Sequence, residues 1–215
     1  MKLIAIIAAL LAPVVHGKDG LVNCRFLGFE PTKDGIPTLV AQGKDGKLET
    51  IALTQGDTLS KSVVLKSEDG VITFRKAESD AAAATAKIPD GTMDVIVLFT
   101  ATEKEGLVRE TVVLDSSAKA FPPDGSIILN HCPQKAKVTV GDGVIEIKPD
   151  ESVPLGRPKE IDDFNMASVK LELETAGVWR TVFESNVRFI KGQRSLFVAH
   201  VDPESKRPRF WMSQE

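Results

Sequence analysis

Ser62-Val63-Val64-Leu65-Lys66-Ser67-Glu68-Asp69-Gly70-Val71-Ile72-Thr73-Phe74 decides the fold class. Two runs rich in β-branched residues flank an Asp-Gly pair, and Asp-Gly accepts the positive φ values of a tight turn between antiparallel strands. The same arrangement recurs at Asp45-Gly46, between residues 38–41 and 48–51, and at Asp142-Gly143, between residues 138–140 and 144–147. Asp-Gly occurs seven times in all, the other acids being Asp19, Asp34, Asp90 and Asp124. Their spacing lacks the clustered acids that place several oxygens on one calcium ion, so they read as turns.

Period-two patterning extends the β reading along the chain. Val169, Leu171 and Leu173 face one way and Lys170, Glu172 and Glu174 the other, as in a half-buried antiparallel strand. Strict alternation through residues 178–184 puts Trp179 and Phe183 on one face, which makes Trp179 a core residue. Residues 95–99 and 196–199 are apolar on both faces and read as central strands. No window of helical length carries a 3.6-residue apolar stripe. The alanine-rich residues 79–86 read as a loop or, at most, a short surface helix.

The N-terminus reads as an address. Met1-Lys2 is a short positive region, residues 3–15 are apolar apart from Pro13, and Val15 and Gly17 fall at the −3 and −1 positions of a cleavage site. Residues 1–17 are therefore expected to be a signal peptide, too short for a membrane span, and the mature chain to start at Lys18 without a transmembrane segment. Leu21-Val22-Asn23-Cys24 resembles a lipobox, but Asn23 stands where a small residue belongs and five residues separate the apolar run from residue 21. The whole chain has 215 residues, 42% of them apolar, with 27 basic against 30 acidic side chains. That composition supports a buried core and excludes wholesale disorder. The slightly acidic balance excludes nucleic acid as the main partner.

Residues 115–125, Asp-Ser-Ser-Ala-Lys-Ala-Phe-Pro-Pro-Asp-Gly, have linker composition and divide the chain into residues 18–117 and 125–215, joined by 118–124. The two halves look alike. Gly91 and Gly192 each precede three residues, an apolar run, a polar turn and a closing strand, and each half opens with a strand carrying Asn and then Cys. About seven strands per half fit an all-β fold of two tandem antiparallel β-sandwiches of immunoglobulin-like type. In this layout the chain resembles uncharacterised secreted bacterial proteins built from tandem β-sandwiches. The resemblance spans the mature chain, rests on no specific motif, and implies no activity.

Chemistry is sparse. A copper site on such a sandwich needs two His, a Cys and usually an axial Met close together, yet Cys132 is followed by no His until His200. Paired Cys-x-x-Cys spacing, the G-x-S-x-G elbow and phosphate-binding glycine loops are absent from the sequence. His131 and Cys132 are adjacent and would point to opposite faces of a strand, so they make no catalytic pair. No enzyme activity and no cofactor are expected. Without Tyr and with only two Trp, the chain also lacks the aromatic platforms of a carbohydrate-binding module.

The expected ligand face is Arg207-Pro208-Arg209-Phe210-Trp211-Met212. Alternation places Trp211 with Arg207 and Arg209, opposite Phe210 and Met212, and a Trp among Arg side chains is the composition enriched at binding hot spots. A local basic excess runs through Arg180, Arg188, Lys191, Arg194, Lys206, Arg207 and Arg209, suited to a protein or anionic surface partner. Cys24 and Cys132, each in the opening strand of its half, are expected to occupy matching core positions too far apart for a bridge, and so to remain free thiols.

The functional expectation is a non-catalytic binding or scaffold protein, periplasmic or extracellular. A second reading is a periplasmic chaperone of the pilus-assembly type, which residues 107–114 resemble in offering an alternating apolar strand for donation to a client; a secreted hydrolase is a third. The export reading is tested by N-terminal sequencing of exported protein, which is expected to begin at Lys18. A retained Met1 or a lipid on Cys24 would refute it.

Overall fold

The computed structural model describes residues 19–28, 38–53, 58–77, 81–100, 109–202 and 205–215. Residues 1–17, expected to be a signal peptide, Asp34-Gly35 and the polar turn at residues 102–106 lie outside them. The described residues form sixteen strands: β1 (Gly20–Gly28), β2 (Leu39–Gln42), β3 (Leu48–Ile51), β4 (Val63–Ser67), β5 (Val71–Lys76), β6 (Ala82–Lys87), β7 (Asp94–Thr100), β8 (Glu110–Asp115), β9 (Ser126–His131), β10 (Ala136–Val140), β11 (Gly143–Ile147), β12 (Glu151–Leu155), β13 (Met166–Thr175), β14 (Val178–Arg188), β15 (Ser195–Val201) and β16 (Pro208–Gln214). The described residues contain no helix, and thus none long and apolar enough to cross a membrane.

The strands form four four-stranded sheets in the orders β4-β1-β7-β8, β3-β2-β5-β6, β12-β9-β15-β16 and β11-β10-β13-β14. Adding eight to each strand number of the first pair of sheets yields the second pair, so the repeat holds at the level of topology with eight strands per half rather than seven. Pairing is antiparallel except for β1 with β7 and β9 with β15, which run parallel in the middle of their sheets. Each half is a β-sandwich. Cys24, Phe26, Val95, Val97 and Phe99 from one sheet meet Leu39, Ile72, Phe74, Ala84 and Ala86 from the other in the first. Ile128, Phe197 and Ala199 meet Val138, Val140, Val169 and Leu171 in the second. Phe74 and Phe99 pack edge to face at 4.9 Å between ring centres, an arrangement the aromatic quadrupole favours.

A third apolar cluster joins the halves. Leu27, Ile96, Leu98 and Leu114 of the first sandwich pack with Ile127, Leu129, Leu196 and Val198 of the second, and Phe121 lies among them, fully buried. These residues alternate along their strands with those of the two sandwich cores, so β7 and β15 are buried on both faces. The sheets therefore stack in four layers with three apolar interfaces between them. The linker residues are part of this packing. Arg194 donates to the carbonyls of Phe121 (3.3 Å) and Ser116 (3.4 Å), and its guanidinium lies 4.5 Å from the Phe121 ring centre. Glu215 accepts from both Arg194 and Arg25, tying the end of the second sandwich to β1 of the first.

Local sequence explains the turns. Asp69 and Gly70, with φ of 50° and 74°, form the two-residue turn between β4 and β5. The strands then diverge into different sheets, so this turn is a corner between layers rather than the tip of a hairpin. Val140 pairs with Gly143, so the β10–β11 loop is Gly141-Asp142, shifted one residue from the Asp-Gly reading. Three further expectations are corrected. Residues 82–87 form strand β6 rather than a loop or helix, because Ala84 and Ala86 lie flush against Phe74 and its neighbours, and that packing outweighs helix propensity. Gly91 and Gly192 do occupy matching turns, closed by Thr92 N–H to Pro89 and Gln193 N–H to Ile190. Beyond them the phase differs: Val95, four residues after Gly91, faces its own sandwich core, whereas Leu196, four after Gly192, faces the other half. The cysteines consequently do not match. Cys24 lies within β1 opposite Val95, while Cys132 follows the end of β9.

Truncating Leu98 to Ala removes a side chain shared by the two halves and is expected to destabilise the protein by about 2–5 kcal/mol. Calorimetry is expected to show one unfolding transition moved to lower temperature. Two transitions of which only one moves would show that the halves are uncoupled.

Candidate functional site

The C-terminal strand carries the expected ligand face, and the structure divides that face in two. Phe210 and Met212 pack against the second core and Trp211 points the other way, as alternation requires. Trp211 is nevertheless half-buried, because the face it shares abuts the first sandwich and the ring packs on the third apolar cluster. The two arginines stay at the surface. The Arg209 side chain is 59% exposed with its Nε 3.9 Å from Asp202 Oδ2, and Arg207 is exposed just ahead of β16.

Register adds two residues that the sequence did not place on this face. Arg209 lies opposite His200, and His200 lies opposite His131 across the parallel pair, so the three form a row over β16, β15 and β9. His131 Nδ1 is 2.8 Å from Asp150 Oδ1, and His200 is buried. Only the β9/β15 register brings these histidines together from sequence positions 69 apart. No one-dimensional pattern carries that signal. Of the other basic residues, Arg180 and Arg188 go to β14, Lys191 to the end of the second sandwich near Arg188 and Arg194 to the junction of the halves, while the exposed Lys206 stays beside Arg207. The basic excess is thus no single patch.

Trp179 is likewise corrected. Phe183 pairs with Leu171 and Thr181 with Glu172, leaving Val182 as a bulge. One extra residue reverses alternation across it, so Phe183 faces the core and Trp179 the outer face of its sheet. There the Lys137 ammonium sits 4.4 Å from the indole centre and 3.4 Å from Glu172, which Lys170 also approaches at 3.3 Å. Partial burial disfavours the Glu172 charge, but hydrogen bonding to Lys170 and the positive fields of Lys137 and Lys170 outweigh it and hold the carboxyl below its ordinary value. The indole face is taken up by its own lysine.

The repeated Asn-and-Cys feature is structural. Asn130, fully buried, donates to the carbonyls of Gln134 (2.8 Å) and Ile147 (3.1 Å) and accepts from the Cys132 N–H (3.1 Å), which closes the turn leaving β9. Asn23 donates to Asp94 (2.8 Å) and accepts from Ser62. Cys24 and Cys132 are buried, unbridged and in different cores. Among the described residues, no group of three or more His, Cys, Asp or Glu is placed to hold a metal ion. A shallow depression of about 540 Å³ lies at one end of the second sandwich, lined by the exposed Phe164 with Arg188, Ile190 and Lys191. No protein-family model matches the chain, and no curated protein matches it.

Burial pushes both thiols up from 9.0 to about 12. Their neutral forms are favoured in the folded protein, so this contribution to stability is complete below pH 9 and is lost as pH rises toward 12. Iodoacetamide at pH 8 is expected to leave both groups unmodified in the native protein and to label two on denaturation without reductant. The unfolding free energy is expected to fall above pH 9 in wild type, and to fall less in a Cys24→Ala/Cys132→Ala variant. Fast native labelling, or no labelling after denaturation, would contradict the buried, unbridged arrangement.

Proposed function

We propose that the chain is an exported, non-catalytic binding or scaffold protein that works as one stiff two-sandwich body. The observation that carries this reading is the third apolar layer. Tandem domains joined by a bare linker swing freely, whereas this junction is sealed by side chains from both halves and by the Arg194–Phe121 and Arg25–Glu215 contacts. A fixed junction holds the outer faces at constant spacing, which is the property a scaffold requires. The leader-like residues 1–17 support export to the periplasm or beyond.

Arg207 and Arg209, with His200 and His131 behind them, form the face we assign to a protein or anionic surface partner, with Trp211 bracing it from the junction. Strand donation of the chaperone kind finds less support. In β8, Val112 and Leu114 pack toward the third layer and Val113 toward the first core, leaving no apolar row to lend. Residues 107 and 108 of that segment lie outside the described residues.

Stiffness is read by pulsed electron resonance between spin labels at Val64→Cys and Val144→Cys, both exposed positions in different halves. A single narrow distance is expected, and a broad distribution would overturn the scaffold reading. The ligand face is read by sedimentation with phosphatidylglycerol vesicles, where loss of two cations near an anionic surface is worth roughly tenfold or more in affinity. Arg207→Ala/Arg209→Ala is expected to weaken binding by about that factor with Tm unchanged. Equal binding by the variant would remove these arginines from the face.

A further inference from the structure

A cleft of about 470 Å³ opens where β1 begins, lined by Asp19–Val22, Ser67, Gly70 and residues 88–93. Its volume falls within the range of ligand sites in general. The sheet register explains why it exists. β1 pairs with β4 from Gly20 onward, but its pairing with β7 starts only at Asn23 opposite Asp94. Among the described residues, Gly20, Leu21 and Val22 thus have a neighbouring strand on one side alone. The last link on the other side is the Asn23 N–H, which donates to the Met93 carbonyl at 2.7 Å.

Backbone groups alternate sides along an extended strand, so the N–H and C=O of Leu21, two residues before Asn23, point to that same side. Where β7 would continue there is instead the cleft. An unpaired strand edge is a template for another strand, and the walls suit side chains as well as backbone. Leu21 and Met93 flank the opening, 46% and 67% exposed, and Ile88 and Pro89 contribute to its lining. Among the described residues, the charged ones that line it are Asp19 and Asp90. Acids at an otherwise apolar slot favour cationic residues on whatever enters it.

We propose that this cleft binds an extended segment of another polypeptide, apolar at its centre and flanked by Lys or Arg, which adds as a short strand beside Leu21. Main-chain hydrogen bonds to Leu21 hold the segment, the surrounding apolar side chains take its central residues, and Asp19 and Asp90 attract its flanking cations. The cleft shares no residue with the β16 face, so either assignment stands if the other fails.

The test uses the full mature chain and three capped peptides: Lys-Val-Thr-Val-Lys, Glu-Val-Thr-Val-Glu and Lys-Val-Pro-Val-Lys. Backbone amide resonances are followed during titration. The Lys-flanked peptide is expected to move Leu21 and its neighbours first and furthest, and to bind at least tenfold more tightly than the Glu-flanked one. The proline peptide, lacking the central N–H, is expected to lose most of the affinity. Met93→Lys alters an exposed side chain and places a cation against a cationic ligand, so it is expected to weaken binding at least tenfold with Tm unchanged. Shifts centred elsewhere, equal binding of the Lys- and Glu-flanked peptides, or no saturable shift at millimolar peptide would each overturn the proposal.

Discussion

The apolar layer between the β1-β7-β8 and β9-β15-β16 faces is the constraint on which the rest of the molecule depends. A strand in an ordinary two-layer sandwich buries one face and wets the other, and its sequence alternates accordingly. β7 and β15 do not alternate, because odd and even positions serve different cores. Each fully buried aliphatic side chain is worth about 1.5–3 kcal/mol relative to exposure. Separating the sandwiches would return eight such residues and the Phe121 ring to water. The layer also explains why the linker composition at residues 115–125 does not produce a free hinge. Phe121 lies in the apolar layer, and Arg194 stacks on its ring while holding two carbonyls of the connecting segment.

Much of this was legible in the sequence, and the illegible part has definite causes. Asp69-Gly70 marks a turn because few other pairs accept two positive φ values in succession. Alternation through residues 169–174 marks a half-buried strand. The Gly91 and Gly192 landmarks mark a repeat, whereas the Asn and Cys pairs fall at opposite ends of the β1–β7 and β9–β15 pairings and mark none. The unbroken apolar runs at residues 95–99 and 196–199 already carried the third layer, since a central strand of a two-layer sandwich has no use for a second apolar face. Misreadings arose where one residue changes phase. The bulge at Val182 turns Trp179 outward, and one residue of extra spacing after Gly192 reverses the faces of β15 relative to β7. Landmarks repeat in the chain while side-chain direction does not, because direction has a period of two residues and tolerates no slip.

The candidate ligand face was visible only in part, for a different reason. Arg207, Arg209 and Trp211 are close in sequence, so local alternation suffices to group them. His200 and His131 join through the register of a parallel pair, which depends on crossover connections and leaves no local trace. Trp211 shows the limit of local reasoning from the other side. Its direction was readable, but what lies in that direction is another sandwich, and that belongs to the packing of the whole chain.

Edges complete the argument. Within each sandwich the two sheets are tied at equivalent corners. Arg109 N–H reaches the Ala83 carbonyl at 3.2 Å and Thr111 Oγ1 the Thr85 carbonyl at 2.7 Å in the first, and Gln214 Nε2 reaches the Arg188 carbonyl at 2.6 Å in the second. The opposite side is drawn together by the Gly43–Leu65 bridge in the first sandwich. Such ties cover the edges of β6, β8, β14 and β16, through which β proteins could otherwise add to one another. Against that background the start of β1 differs, because the cause of its open edge is a mismatch in length. β1 begins at Gly20 and its neighbour β7 comes alongside only at Asn23, after the Pro89–Thr92 turn has carried the chain round the end of the sandwich. Lengthening β7 by one pair of residues would fill the gap and extend the ladder. The Gly91 turn, with its φ of 75°, prevents this by directing the chain away from β1 until Met93.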